Sequence, residues 1–289
     1  MEICSSFNLR TLFQVVRIRF ALYKYISLIS GRIIRFLQAL GIHCERVSNK
    51  NQIIDLITSI RPVVTNFKLI RIGALGDGGY LIPDDLVGIK YAFSPGVSSK
   101  ISFESELASR GIKCFLADYS VSHPAQISQD IEFLKKYVGI CDSEIYIKME
   151  SWLNQSVGEG DSDCILQMDI EGAEYENLLN VPDDILDRFR ILVIEFHFLE
   201  LIGSYFGFKM ISTVFNRLTE KYDVVHIHPN NCSNPVKVSG VKIHPVVEMT
   251  FLKKDRATQR TPSTSQRNPL DQDNINTRRS VNLLDNWHS

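Results

Sequence analysis

Residues 165–174, Ile165-Leu-Gln-Met-Asp-Ile-Glu-Gly-Ala-Glu174, form an apolar run that ends in acids and a glycine. The pattern predicts a buried strand over 164–168 and a helix over 173–179. In open α/β sheets, ligands bind just outside the carboxyl ends of the strands. Asp169 and Glu171 are two apart, so on an extended backbone they point to the same side, and the glycine permits a sharp turn. Acids buried there need partners, which indicates a binding site. The alternative is a helix N-cap at Asp169 and a surface acid at Glu171.

Strand-like and helix-like patterns alternate from residue 91 to residue 252. This alternation predicts an α/β fold, namely a Rossmann-like, doubly wound and mostly parallel sheet. The last two strands are joined by a segment rich in proline, asparagine and glycine, which predicts an antiparallel hairpin at one edge. The predicted strands are 91–94, 113–117, 144–149, 164–168, 191–197, 223–228 and 246–252, and the predicted helices include 100–110, 128–137, 173–179 and 210–222.

Composition predicts three regions. Residues 1–50 carry eight Lys/Arg against two acids and form a basic amphipathic helical extension. Residues 51–254 form the α/β domain. Residues 255–289 are predicted to be a disordered polar tail, because so few of them are apolar. The helical pattern over 9–41 either packs on the domain through its apolar face or lies on an anionic membrane surface. Basic residues interrupt its apolar run, so no transmembrane span is predicted.

Net charge, hydrophobic content and cysteine spacing limit the classes of protein to which the chain can belong. A formal charge of −1 excludes a globally basic nucleic-acid binder, and 44% hydrophobic residues suffice for a sizeable core. The six cysteines form no CxxC pair, which favours a reducing compartment over a disulfide framework. We therefore expect a cytoplasmic protein with no nucleic-acid partner, and peripheral contact with the inner membrane surface through 9–41 stays open.

The first strand–turn–helix unit is where a nucleotide would bind. Its turn, Phe93-Ser-Pro-Gly-Val-Ser-Ser99, contains one glycine, whereas a pyrophosphate needs a glycine-rich turn. The turn therefore favours a nucleoside cofactor, bound by Ser94, Pro95 and Gly96. Asp118 ends the next strand, where an acid would accept both hydroxyls of a ribose. The alternative is a turn-forming Asp ahead of Tyr119.

Several motifs together resemble one family. They are Arg71-Ile-Gly73, Asp77-Gly-Gly-Tyr-Leu-Ile-Pro83, Phe93-Ser-Pro-Gly96, Ser102-Phe-Glu104, Met168-Asp-Ile-Glu-Gly-Ala-Glu174 and Ile194-Glu-Phe-His197. Over roughly residues 65–254 the chain resembles the FkbM-type class I methyltransferases. The resemblance implies S-adenosylmethionine as cofactor and an oxygen acceptor, often on a sugar or a polyketide-like product.

In that context, further residues are predicted to contact the cofactor. The two glycines after Asp77 would let a loop fold over it, although a turn alone would also explain them. Tyr119 would follow the ribose-binding acid, and two residues after the third strand would enclose the adenine. The predicted cofactor residues outside the first turn are Asp77, Gly78, Gly79, Tyr80, Asp118, Tyr119, Ser151, Trp152 and Asp169.

The predicted chemistry lies at the ends of the fourth and fifth strands. Asp169, Glu171 and His197 would line the junction between cofactor and acceptor, with Glu171 or His197 as general base. The alternative for His197 is a buried structural pair with an acid. A His-x-His sequence beside acids could hold a metal, but no third ligand has suitable spacing, so no metal is predicted. The predicted acceptor-binding residues are Glu195, His226, His228, Asn230, Asn231 and Glu248.

The sequence thus predicts an S-adenosylmethionine-dependent methyltransferase that methylates a hydroxyl of a sugar, a glycan or a related small molecule. Two other classes stay open. A metal-dependent glycosyltransferase could use Asp169 and Glu171 as an acidic clamp. A non-catalytic, membrane-associated module could keep the fold and dock through its basic helix.

Overall fold

The computed structural model describes residues 31–41, 45–122, 128–160 and 163–288. The chain divides into two units between Arg46 and Val47. Of the first unit, the structure describes a helix, α1, over 31–39. The rest of the predicted basic helix, 9–30, lies outside the described residues. Within the described part of the chain, no helix is both long and apolar enough to cross a membrane.

The second unit, 47–289, is an α/β domain. Its central sheet contains β4 (Tyr91–Pro95), β5 (Lys113–Ala117), β6 (Ile131–Leu134), β9 (Cys164–Met168), β10 (Phe189–Phe196), β11 (Tyr222–Pro229) and β14 (Val247–Lys253). Two-stranded ladders pair β1 (Val63–Thr65) with β15 (Arg260–Pro262), β2 (Leu69–Gly73) with β3 (Gly79–Pro83), β7 (Tyr137–Gly139) with β8 (Tyr146–Lys148), and β12 (Val236–Val238) with β13 (Val241–Ile243). The other helices are α2 (Lys50–Ser59), α3 (Ser102–Ser109), α4 (Met149–Val157), α5 (Glu174–Asn180), α6 (Asp183–Leu186) and α7 (Tyr205–Lys221), with 3-10 turns at Leu199–Gly203 and Asp285–Trp287.

The order of the strands across the central sheet defines the fold. The sheet runs β11-β14-β10-β9-β4-β5-β6, which is 6-7-5-4-1-2-3 when its strands are counted along the chain. Neighbours from β10 to β6 are parallel, whereas β14 lies between β10 and β11 and is antiparallel to both. This is the Rossmann-like order of the class I methyltransferase fold. The predicted doubly wound sheet and its antiparallel hairpin are confirmed.

Apolar layers cover both faces of the sheet. Side chains of α2, α4, α5, α6 and α7 pack on one face, and α3 packs on the other together with the β2–β3 hairpin. All residues of β9 and β10 are buried, as their predominantly apolar sequences favour. The three polar side chains among them, Gln167, Arg190 and Glu195, each have a hydrogen-bond partner. The long helix α7 begins where the hydroxyl of Ser204 accepts a hydrogen bond from the Gly207 amide.

The prediction for residues 128–149 is wrong. Residues 128–137, predicted as a helix, contain β6, which pairs with β5 as the third strand of the central sheet. The predicted strand 144–149 is reduced to β8, which pairs with β7 outside that sheet. The Ile-Glu-Phe-Leu sequence of β6 is compatible with a helix or a strand. The open edge of β5 favours the strand, because pairing there satisfies the backbone of this segment and places Ile131 in the core.

The prediction of a disordered tail over 255–289 is also wrong. β15 pairs with β1, and the side chains of Leu283 and Trp287 are buried in the main core, 3% and 1% exposed. The carboxylate of Asp271 is buried as well, 2.9 Å from Nε2 of His226. Composition is a poor guide here, because two well-placed apolar anchors and a few polar pairs hold a segment whose average character is polar.

Candidate functional site

A cleft opens where β4 and β9 end, under the tip of the β2–β3 hairpin. It brings together five of the predicted cofactor residues, which are Asp77, Gly78, Tyr80, Gly96 and Asp169. Four further polar residues line it, namely Ser98, which belongs to the predicted cofactor turn, and Lys100, Glu104 and Gln167, which had no predicted role. Glu104 lies in the first turn of α3. An acid at that position is the feature of the sequence that could have identified it.

The hairpin tip is a tightly closed turn. The guanidinium of Arg71 donates hydrogen bonds of 2.8 and 2.7 Å to the carbonyl oxygens of Ala74 and Gly76. A Cβ on Gly79 would lie 2.1 Å from the Ala74 carbonyl oxygen, so the turn requires a glycine at this position. Tyr80 is buried behind the tip, where its hydroxyl accepts a hydrogen bond from the Gln167 amide. Asp77 therefore projects from a rigid support.

The turn after β4 depends on one glycine. Gly96 has a φ of +82°, and a Cβ there would lie 1.6 Å from the carbonyl oxygen of Asp169. The glycine thus lets the β4 turn pass directly against the loop that follows β9. Ser94 and Pro95 are buried within β4, and the Pro95 carbonyl accepts a hydrogen bond from the Asp169 amide. Ser94 and Pro95 support the cleft from below and do not line it.

Asp118 directly follows β5, as predicted, but its carboxylate is engaged locally. Its Oδ1 accepts hydrogen bonds from the amide and the hydroxyl of Ser120, both at 2.6 Å, and from the Val121 amide at 3.3 Å. The turn-forming alternative therefore describes part of its role. The ring of Tyr119 is 40% exposed and lies 5.4 Å from that of Tyr137.

The two residues predicted to enclose an adenine both lie in α4. Trp152 is 3% exposed and packs edge-on against Phe93 in the core. The hydroxyl of Ser151 donates a hydrogen bond to Asp142. Because Met149 already begins α4, neither residue directly follows a strand of the central sheet. Trp152 is too buried to meet a ligand, whereas the cofactor role of Ser151 stays a prediction.

Four carboxylates surround the imidazole of His197, and we call this group the His197 cluster: Asp169, Glu171, Glu174, Glu195 and His197. Nδ1 of His197 lies 3.1 Å from Oε1 of Glu174. Nε2 lies 3.5 Å from Glu171, 3.8 Å from Asp169 and 4.0 Å from Glu195. The predicted catalytic residues are thus brought together, because the ends of β9 and β10 are adjacent.

Glu174 is the member of the cluster to which sequence reasoning gave no role. Its side chain is fully buried, and Oε1 also accepts hydrogen bonds from the amides of Ile170 and Gly172. It therefore holds both the loop after β9 and the ring of His197. In this loop Glu171 adopts a left-handed φ of +56°. The feature of the sequence that could have identified Glu174 is the presence of an acid at the start of the predicted helix 173–179.

The carboxylates of the cluster repel one another. Burial raises the pKa of Asp169, and the charge of Glu195 raises it further. Burial and the charge of Glu248 raise the pKa of Glu195, which stands opposite Glu248 in the β10–β14 ladder. Burial alone would lower the pKa of His197, but its hydrogen bond to Glu174 and the surrounding acids outweigh this and raise it. The site therefore retains protons, or another cation, more strongly than isolated side chains would.

The predicted acceptor-binding residues are close together, but the chain itself supplies their partners. The amide of Asn230 donates a hydrogen bond to Glu195. The C-terminal segment provides the others: Asp271 contacts His226 and His228, Asn274 donates to Glu248, and Ile275 exchanges hydrogen bonds with Asn231. These side chains are buried under that segment, and the acceptor role remains a prediction.

One group of described residues has the spacing of metal ligands. Asp169, Glu171 and His197 each offer a ligand atom, and these atoms lie within 4.8 Å of one another. The predicted His-x-His pair, His226 and His228, is not part of this group, and its acidic neighbour is Asp271.

No family model and no curated protein matches the chain. Among solved structures, it is similar to a chain in the crystal structure of a fibrillarin/Nop5p complex, with 10% identity, a TM-score of 0.34, and coverage of 57% of this chain and 73% of that one. It is also similar to a predicted O-methyltransferase from Agrobacterium tumefaciens, with 11% identity, a TM-score of 0.31, and coverage of 58% and 76%. Both superpositions are too loose to carry an argument about function. The fold assignment rests on the strand order of the sheet.

Proposed function

We propose that the chain is an S-adenosylmethionine-dependent methyltransferase that acts on an oxygen of a small molecule or glycan. One observation carries the proposal. Gly96, Asp118, Asp169 and His197 each directly follow one of four neighbouring parallel strands, β4, β5, β9 and β10. This edge of the sheet is where such folds bind their ligands. The motif resemblance supports assignment to the FkbM type.

The residues of the cleft suit the parts of S-adenosylmethionine. Its methionine end carries an ammonium and a carboxylate, and the cleft offers the carboxylate of Asp77 and the ammonium of Lys100. Asp118 is the acid for the ribose, and the exposed ring of Tyr119 next to it offers a surface on which an adenine can stack. A turn with one glycine also suits a cofactor without a pyrophosphate.

The His197 cluster would handle the acceptor proton. When bound, S-adenosylmethionine would supply an activated methyl group to the acceptor oxygen, and the electron pair of the carbon–sulfur bond would stay on sulfur. The chain contributes by orienting the hydroxyl and by receiving its proton on Glu171 or, above the raised pKa of His197, on Nε2 of that residue. Glu174 keeps Nδ1 protonated, so Nε2 faces the other acids and the imidazolium that forms is stabilised. The side chain of Glu171 is 88% exposed, which leaves it accessible to an acceptor.

Calorimetry with S-adenosylmethionine on the wild type and on Asp118→Asn tests the cofactor assignment. The asparagine oxygen can still accept from Ser120, which preserves the turn, but it removes the charge from the ribose hydrogen bonds. Such bonds contribute about 1.5–3 kcal/mol each, so affinity should fall at least about tenfold. Asp142→Asn is the matched control, because Asp142 also caps a local turn, with hydrogen bonds from Lys148 and Ser151, but does not follow a strand of the central sheet.

Two results would contradict the proposal. Equal affinity in a folded Asp118→Asn variant would place the ribose elsewhere. Thermal stabilisation by NAD or by a sugar nucleotide with Mn²⁺, and none by S-adenosylmethionine, would favour a dehydrogenase or the glycosyltransferase alternative. A ligand at about 100 times its dissociation constant stabilises by about 2.7 kcal/mol, which a thermal-shift assay detects readily. Binding to anionic vesicles without any nucleoside binding would favour the non-catalytic membrane module.

A further inference from the structure

The charge balance of the His197 cluster is uneven. Four carboxylates, Asp169, Glu171, Glu174 and Glu195, stand around one imidazole. Among the described residues, no lysine or arginine forms an ion pair with any of them. Buried or partly buried carboxylates are otherwise paired with cations, because leaving them uncompensated is costly. The arrangement has the electrostatics of a cation-binding site.

The geometry of three of these groups matches a ligand set. Nε2 of His197 lies 3.5 Å from Glu171 and 3.8 Å from Asp169, both longer than an ordinary hydrogen bond. Two ligands that each stand about 2.1 Å from one ion are separated by about 3.0–3.4 Å. Both distances from Nε2 exceed that range by at most about half an ångström, and all three ligand atoms lie within 4.8 Å of one another. Sharing an ion therefore requires the carboxylates to move inward, and Glu171 is exposed enough to do so.

A second observation concerns Asp169. Its Oδ1 is buried and has no hydrogen-bond partner among the described residues, and this is the oxygen directed at Nε2 of His197. An unpartnered buried carboxylate oxygen is unusual in a folded protein. A bound cation would satisfy it.

Glu174 completes the arrangement from behind. It accepts from Nδ1 of His197, which leaves Nε2 as the nitrogen available to a ligand. Metal-binding histidines almost always donate their other N–H to a carboxylate or a carbonyl in this way, which fixes the ring and makes it a better ligand. Glu174 is also anchored to the amides of Ile170 and Gly172, so the support is rigid.

We propose that Asp169, Glu171 and His197 bind a divalent cation, with Glu174 as the residue that positions the imidazole. Two carboxylates and one imidazole are a mixed oxygen and nitrogen set, which suits Mn²⁺ or Zn²⁺ better than the all-oxygen preference of Mg²⁺ or Ca²⁺. With three protein ligands the ion keeps open positions for water or substrate.

The site would change how the acceptor is activated. The ion would take the acceptor oxygen as a further ligand and lower the pKa of its hydroxyl, so the proton passes to solvent water and not to Nε2 of His197. This role rests on the proposed methyltransferase function, whereas the cation site itself does not.

Titration with Mn²⁺ tests the site on the full-length protein without cofactor. Calorimetry and the electron paramagnetic resonance signal of free Mn²⁺ should report one site in the wild type. Asp169→Asn and His197→Gln, both close in shape to the native side chains, should weaken binding by more than tenfold. Glu174→Gln should weaken it by about 10–100-fold, as is typical for residues behind a ligand. The matched control is Glu176→Gln, an exposed acid on the same helix, which should bind as the wild type does.

A readout on the wild type covers the case in which a variant fails to fold. Bound Mn²⁺ is paramagnetic and should broaden the imidazole resonances of His197 more than those of His288. Absence of Mn²⁺ and Zn²⁺ binding at millimolar concentration, or equal affinity in wild type and Asp169→Asn, would overturn the proposal. Thermal shift by S-adenosylmethionine in the presence of a chelator separates the two proposals: a retained shift leaves the cofactor assignment intact even if the cation site fails.

Discussion

Trp287 anchors the C-terminal segment, which composition alone predicts to be disordered. The side chain of Trp287 is 1% exposed and belongs to the main core, with its ring 6.4 Å from that of His244. Truncating a buried tryptophan to alanine costs about 3–5 kcal/mol. For a domain of this size, each kcal/mol lowers Tm by about 2–4 °C. Trp287→Ala should therefore lower Tm by about 6–20 °C.

The polar atom of this side chain refines the expectation. The indole Nε1 is buried and has no hydrogen-bond partner among the described residues. An unsatisfied buried donor costs about 1–3 kcal/mol, and phenylalanine lacks it while keeping most of the apolar area. Trp287→Phe should consequently lose much less stability than Trp287→Ala, or none.

Thermal melts followed by circular dichroism provide the measurement. Leu270→Ala is the matched control, because Leu270 lies in the same segment but is 43% exposed, and its truncation should change stability by less than about 0.5 kcal/mol. If Trp287→Ala melts at the temperature of the wild type, the segment does not dock through this residue, and the composition-based prediction of a disordered tail is the correct one.

Two further perturbations test the core of the domain. Gly96→Ala should prevent stable folding or lower stability by several kcal/mol, because the new Cβ would lie 1.6 Å from the Asp169 carbonyl oxygen at a φ of +82°. Soluble yield and the denaturant midpoint of unfolding measure this effect. A midpoint equal to that of the wild type would refute the close approach of these two loops. Burial, with a smaller contribution from the charge of His228, lowers the pKa of His244 to about 4. Because the unfolded pKa is about 6.5, the unfolded chain binds more protons between these values, so about 3 kcal/mol of stability should be lost as pH falls from 6.5 to 4. The slope of unfolding free energy against pH over that window should be shallower in His244→Phe, and an unchanged slope would mean that another group titrates there.

The class of fold was accessible from the sequence because the central strands are short, predominantly apolar runs. Cys164–Met168 was predicted with the bounds that the structure has, since a strand covered on both faces tolerates almost no polar residue. The meeting of Asp169, Glu171 and His197 followed from topology alone, because the carboxyl ends of adjacent parallel strands lie side by side.

Segments without a continuous apolar run were decided by their partners. The sequence of Ile131–Leu134 suits a helix and a strand about equally, and the free edge of β5 made it a strand. Because residues 131–134 form the third strand of the sheet, the elements that follow do not occupy their predicted positions. Trp152 therefore lies in the core and does not line the cleft. The local sequence of a segment does not specify the strand edge with which that segment will pair.

The sequence alone determined the Rossmann-like sheet, the acids and histidine at its carboxyl edge, and the single-glycine turn beside them, because each depends on short-range pattern or on strand adjacency. Only the tertiary structure decided that Glu174 holds His197 and that Asp271 and Trp287 secure the C-terminal segment. These contacts join residues through side-chain packing between separate elements, and such packing depends on the three-dimensional arrangement of all of them.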